Sequence, residues 1–172
     1  MSPRPVIFIS AVSRELKTAR QLVANTLTFL GYEPEWQDIF GADQGDLRAM
    51  LRRRIDASAG VVQLIGQRCG CEPAEPDAEF GRCSYTQFEA HYARQQGKKV
   101  WLLFLDDAYP TDAPAPEPDE LRELQRAYRE RVRPGSQVYH PIETPPDLEN
   151  TLLKLRQELA ELRRGQYLAG GE

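Results

Sequence analysis

No stretch of this 172-residue chain approaches the ~18 consecutive apolar residues that a membrane-spanning helix needs. The opening "MSPRPVIFIS" returns to polar residues after about five apolar ones, which is too short for the apolar core of a secretory leader. A cytoplasmic protein without a membrane association is expected. Cysteine is scarce: Cys69, Cys71 and Cys83 are an odd, small set, which argues against a disulfide framework. Their C-x-C spacing, with eleven residues before the third Cys, lacks the usual zinc pairing, and His91 is the one nearby histidine, so no metal site is expected. An excess of positive charge is also missing. With 22 Lys and Arg against 26 Asp and Glu, the net charge is −4 and the pI about 5.4, which gives no support for a nucleic-acid partner. The short basic run "LRRRID" (51–56) reads as a solvated helix face. Nor does the chain hold a phosphate-loop G-x-x-x-x-G-K-[ST], a G-x-G-x-x-G after its first strand, or a G-x-S-x-G elbow. Two histidines, His91 and His140, are too few and too placeless for a triad, and His91 reads as a helix-surface residue.

What the chain does have is a strict alternation of strand and helix signals, with 41% hydrophobic residues to fill a core. "VIFIS" (6–10) is a continuous apolar run, as in a strand buried on both faces. Ser13 offers a cap to a helix whose apolar residues Leu16, Ala19, Val23, Leu27 and Leu30 recur every three or four positions, and Gly31 stops it. "YEPEW" (32–36) reads as a strand that Pro34 confines towards an edge. Leu47, Leu51 and Ile55 mark a second helix, "GVVQLIG" (60–66) a third strand, and residues 67–85 a long loop without periodicity. A helix from about Thr86 to Gln96 leads into "KVWLLFL" (99–105), the strongest strand. Four prolines keep 106–118 out of helix and central strand. A helix with Leu121, Leu124, Tyr128 and Val132 follows, then a weak fifth strand, "SQVYHPI" (136–142). The last helix carries Leu148, Leu152, Leu155, Leu159 and Leu162 at four-three-four-three spacing. Fewer than three heptads favour packing on the sheet over a coiled-coil seam, the other reading being a contact with a second copy or a partner domain. The order predicts a parallel α/β domain over residues 1–145 with helices on both faces, and a leucine-rich helix with a loose tail over 146–172.

Ligands of open parallel sheets sit beyond the carboxyl ends of the strands. Those ends lead into loops that bring together Ser10, Phe40, Asp43, Arg68, Tyr85 and the start of the helix bearing Glu89. Glu89 has two readings. Thr86-x-x-Glu89 matches a capping box, in which the carboxylate bonds back to its own helix end. Alternatively, a carboxylate in the first helical turn beside a cleft faces a ligand. One carboxylate suits the departure of a pyridinium from a ribose: the leaving group starts cationic and leaves neutral, so no general acid is required, unlike ordinary glycoside cleavage with its two carboxyl groups. What remains is to orient the ribose and stabilise positive charge on it.

Five segments in order, "IFISAVSREL" with Arg20, "LGYEPEWQDIFGAD", "IDASAGVVQLIGQRCG", "SYTQFEAHYARQQGKKVWLLFL" and "PPDLENTLLKL", resemble the TIR-like domains. The resemblance is closest to the branch often found at the N-terminus of bacterial STAND NTPases and related signalling proteins. It implies a flavodoxin-like three-layer sandwich with a five-stranded parallel sheet. It implies also that the chain acts as a signalling or defence effector, with NAD⁺ as substrate rather than cofactor, cleaved to nicotinamide and ADP-ribose or a cyclic product. Glu89 matches the family's catalytic glutamate, Ser10 a position near the nucleotide, and "DIFGAD" the BB-loop region that covers the substrate and makes domain contacts. The chain departs from the family where Ala11 and Val12 replace a Ser-Thr pair and where Gln87 replaces a glutamate. Two further functions fit the residues. One is a non-catalytic domain that self-associates or joins other signalling domains. The other is a nucleoside deoxyribosyltransferase-like enzyme with a carboxylate nucleophile.

Overall fold

A computed structural model of the chain describes residues 3–39, 46–112, 116–133 and 141–169, apart from the side chains of 163 and 165–169. Four parallel strands form one sheet: β1 (Val6–Ser10), β2 (Glu33–Glu35), β3 (Gly60–Ile65) and β4 (Lys99–Phe104). Their spatial order is β2-β1-β3-β4. The apolar runs of β1 and β3 are buried along nearly their whole length, which is why neither alternates with polar residues. β2 lies at the edge, where Pro34 opposes Ile7 and its missing N–H disturbs no second ladder. Among the described residues the sheet has four strands rather than the expected five. Much of the expected fifth strand, including His140, falls outside the described residues, and within them Ile142 makes a single parallel bridge to Leu105.

The strand pleat sends alternate residues to opposite helical layers. Ile7, Ile9, Val62, Leu64, Trp101 and Leu103 meet α1 (Lys17–Leu30), α5 (Pro145–Lys154) and α6 (Arg156–Ala169). Phe8 and Val61 face α2 (Leu47–Asp56) and α3 (Tyr85–Gln95) through Leu51, Ile55 and Phe88. Ile65 and Leu102 pack on Ala90 of α3 and on Tyr128 and Val132 of α4 (Asp119–Val132). Each such side chain, when fully buried, contributes roughly 1.5–3 kcal/mol relative to exposure. Leu148, Leu152, Leu155 and Leu159 are all wholly buried in the first layer, so the C-terminal leucines complete the core of the sheet they follow. One continuous last helix was the expectation; instead the chain breaks at Leu155 into α5 and α6.

Two other local expectations change. Ser13 does not cap α1, which starts at Lys17 behind Leu16 with no side-chain cap. Its hydroxyl instead accepts a hydrogen bond from the Ile39 amide at 2.9 Å, tying the loop after β2 to the loop after β1. His91 is half-buried rather than a residue of the helix surface. Its ring stacks on Phe80 and meets the edge of Tyr128, Nε2 is buried, and burial holds its pKa below the ordinary value.

Candidate functional site at the carboxyl edge of the sheet

Local sequence places the start of α3 two residues before the expected box. Ser84 is the cap: its hydroxyl accepts from the Gln87 amide, and Gln87 Oε1 accepts from the Ser84 amide, both at 3.1 Å. The Thr86–Glu89 capping box therefore does not form. The Thr86 carbonyl accepts from Gln63 Nε2 at 2.8 Å, and Glu89 is left free of any capping duty.

Glu89 turns instead into the molecule, where it is 2% exposed. Ser10, at the end of β1, donates to Glu89 Oε1 at 2.7 Å. Gln63 of β3 donates to the Ser10 hydroxyl at 2.9 Å, and Tyr128 of α4 donates to the Gln63 carbonyl oxygen. A chain of hydrogen bonds thus crosses β1, β3, α3 and α4 through dry interior. Burial pushes the Glu89 pKa up to about 8, against the opposing pull of the Ser10 hydroxyl and of the Arg20 cation. The carboxyl is neutral in most molecules at pH 7. Arg20 stands nearby on α1: it pairs with Asp38 at 2.7 Å and lies 5.0 Å from the Trp36 ring centre. Its Nη1 is buried with no hydrogen-bond partner among the described residues.

Beyond the ends of β1 and β3 opens a cleft of about 210 Å³, whose walls include Val12, Arg14, Arg68, Tyr85, Thr86 and Glu117. Arg68 and Tyr85 thus stand where the sequence placed them. Ser10 and Glu89 are buried and are not among the lining residues, whereas Thr86, one helical turn before Glu89, is. Phe40 and Asp43 fall outside the described residues.

The sequence reading missed Arg14, Glu15 and Glu117. Glu15 is buried and accepts from the amides of Gln67 and Arg68; burial raises its pKa. Glu117 accepts from the amides of Cys69 and Gly70. The available signal for Glu117 was a lone acid between two prolines, opposite a loop too long to lack a purpose. Cys71 lines the same cleft, while Cys69 and Cys83 are buried. All three are free thiols, and desolvation raises Cys69 to about 12 and Cys83 to about 11, so neither supplies a thiolate nucleophile near neutral pH. Among the described residues no group of three His, Cys, Asp or Glu could hold a metal ion. None of their helices is long and apolar enough to cross a membrane. A larger groove of about 650 Å³ beside α4 is lined by charged residues, several already paired, such as Arg126 with Glu123.

Comparison with known proteins adds family and fold. A family described as a domain of unknown function, DUF4062, matches residues 6–156. No protein in a set of curated sequences matches the chain. Among solved structures, the chain is similar to a diflavin flavoprotein A3 from Nostoc sp., with a TM-score of 0.50 and 17% identity, covering 96% of this chain and 99% of that one. At this identity the likeness concerns the fold. The strand order agrees with it, since flavodoxin-like sheets run 2-1-3-4-5 and four of those positions are filled here.

Proposed function

Because the chain belongs to the DUF4062 family, with all four strands inside the matched residues, we propose a function from its site: a TIR-like effector domain that binds NAD⁺ across the carboxyl edge of the sheet and cleaves the nicotinamide–ribose bond. The observation that carries this reading is Glu89. It caps nothing, it is kept in a dry layer at a cost to stability, and it sits one helical turn behind a residue that lines the cleft. Phe40 and Asp43, from the segment that resembles the BB-loop, complete the proposal as substrate-covering residues.

The chemistry follows from the charge of the leaving group. The bond between ribose C1′ and the ring nitrogen breaks, its electron pair passes to the pyridinium, and neutral nicotinamide departs. Positive charge develops on the ribose, where an ionised Glu89 stabilises it. Water, or an internal nucleophile of the ADP-ribose, then attacks C1′ and releases its proton. Glu89 starts neutral, and a cationic nicotinamide ring brought beside it favours the ionised form. Ser10 holds the carboxyl in one orientation, and Arg20 moderates its pKa. Glu89 must emerge from its buried position for this to happen, so turnover requires a movement of the α3 start against β1.

The test is nicotinamide release by concentrated protein and by Glu89→Gln. Slow release is expected from the wild type and at least a hundredfold less from the variant, as for loss of a transition-state charge partner. A concentrated wild-type sample that releases no nicotinamide overturns the proposal. One observation favours a second reading, a nucleotide-binding or assembly domain without turnover: the Glu89 carboxyl is neutral, hydrogen-bonded and shut away from the cleft. That reading expects NAD⁺ binding by calorimetry with no product.

A further inference from the structure

The loop leaving β3 presents four consecutive backbone amides, and carboxylates of the same chain hold all four. Glu15 accepts from Gln67 and Arg68 at 3.1 Å each. Glu117 accepts from Cys69 at 2.5 Å and from Gly70 at 3.0 Å. A run of N–H groups of this kind is a concavity for anions.

Both occupants are buried, Glu117 at 7% exposure, and they differ in their backbone setting. Glu15 is 2% exposed, and a Cβ added at Gly66 would stand 2.7 Å from its Oε1, so the carboxylate is wedged against backbone. Glu117 belongs to no helix or strand. It stands between Pro116 and Pro118, and these three residues form one wall of the 210 Å³ cleft. Opposite them, Gly70 takes a φ of +85° with the Val12 side chain 3.2 Å from where a Cβ would sit, which brings its backbone against the cleft wall as only glycine allows. Arg14 and Arg68 line the same space.

We propose that the amides of Cys69 and Gly70, together with Arg14 and Arg68, form a phosphate-binding subsite, and that Glu117 is its built-in occupant, exchanged for the diphosphate of an incoming ligand. The proposal rests on the cleft being a nucleotide site; it does not rest on NAD⁺ cleavage. The exchange is balanced in hydrogen bonds, because phosphate oxygens take the two donors that the carboxylate gives up. It also leaves the cleft with two arginines and no lining carboxylate at the subsite, a better match for a diphosphate than the self-filled form. Tethered to the same chain, Glu117 acts as a competitor at high effective concentration and weakens every phosphate-bearing ligand alike.

The experiment is calorimetric titration of the full chain with inorganic pyrophosphate, ADP-ribose and adenosine, comparing wild type, Glu117→Gln and Glu117→Ala. Pyrophosphate and ADP-ribose should bind the variants about tenfold more tightly, the scale of one charged hydrogen bond, and adenosine should be unchanged. Glu117→Gln keeps an oxygen acceptor for the loop amides and so guards against a variant that fails to fold. In thermal melts, pyrophosphate should raise the midpoint of Glu117→Ala more than that of the wild type. Equal or weaker pyrophosphate binding by both variants, no binding to any form, or an equal gain for adenosine each overturns the subsite. Nicotinamide release from the same samples separates the two proposals. Tighter pyrophosphate binding with no release leaves the subsite standing and removes the cleavage, whereas release with unchanged pyrophosphate binding does the reverse.

Discussion

At Glu89, desolvation outweighs the hydroxyl and the arginine that would ionise it, and the carboxyl keeps its proton up to about pH 8 instead of the ordinary 4.5. Below 4.5 the group is protonated in both the folded and the unfolded chain, and its contribution to stability is fully present. Between 4.5 and about 8 the unfolded chain releases a proton that the folded chain retains, so stability falls as pH rises, by a few kcal/mol, roughly, across the window. Above 8 that contribution is gone. Glu89→Gln imitates the neutral acid and still accepts from Ser10. Urea unfolding should show the variant close to wild type at pH 5 and clearly more stable at pH 8; parallel curves would refute the assignment. If the domain cleaves NAD⁺, kcat/KM should climb with pH towards 8 as the free protein ionises, which a pH–rate profile would record. Gly70→Ala should cost about 1 kcal/mol or more, because φ +85° strains any Cβ and Val12 blocks it, and the loss should appear as a lower denaturant midpoint.

Helix α3 shows where a local rule has two solutions. Ser84-x-x-Gln87 and Thr86-x-x-Glu89 satisfy the same box pattern two residues apart. Only the first forms, because the Thr86 carbonyl and the Glu89 carboxyl are claimed by Gln63 and Ser10 from the sheet. Both sheet residues point to the α3 side of the pleat, as the alternation along β1 and β3 requires. Ser84→Ala should therefore destabilise by about 1 kcal/mol, while Thr86→Ala should change stability by less than about 0.5 kcal/mol. Equal losses in chemical denaturation would place the cap wrongly. The same competition displaced Ser13: its hydroxyl was a plausible helix cap, and the edge chain after β2 took it.

Over the whole molecule, the C-terminal leucines belong to the sheet. Leu155 and Leu159 are wholly buried beside Trp101 and α1, so they are not free to form a contact between copies. Leu155→Asp or Leu159→Asp should unfold the domain, since an unpaired buried charge costs several kcal/mol, a large share of a domain's roughly 5–15. Circular dichroism should show lost helix. A folded variant with an altered oligomeric state would refute this. Removing α5 and α6 should have the same effect, because the part of the sheet face that α1 does not cover would then meet water.

The alternation of apolar runs and three-four periodic helices determined a parallel α/β sandwich, its edge strand at Pro34, and the carboxyl edge as the place where a cleft opens, because burial on two faces writes itself into composition. Arg68 was legible for the same reason, being just past the third strand, whereas Tyr85 was read as the end of the loop and in fact opens the third helix. Tertiary structure alone decided that Glu89 is buried and neutral, that two distant carboxylates fill the amides of one loop, and that Ile142 adds a single bridge where a fifth strand was expected. Each of these depends on groups 37 to 79 residues apart competing for the same donor, acceptor or water-free space, and no local pattern records the winner.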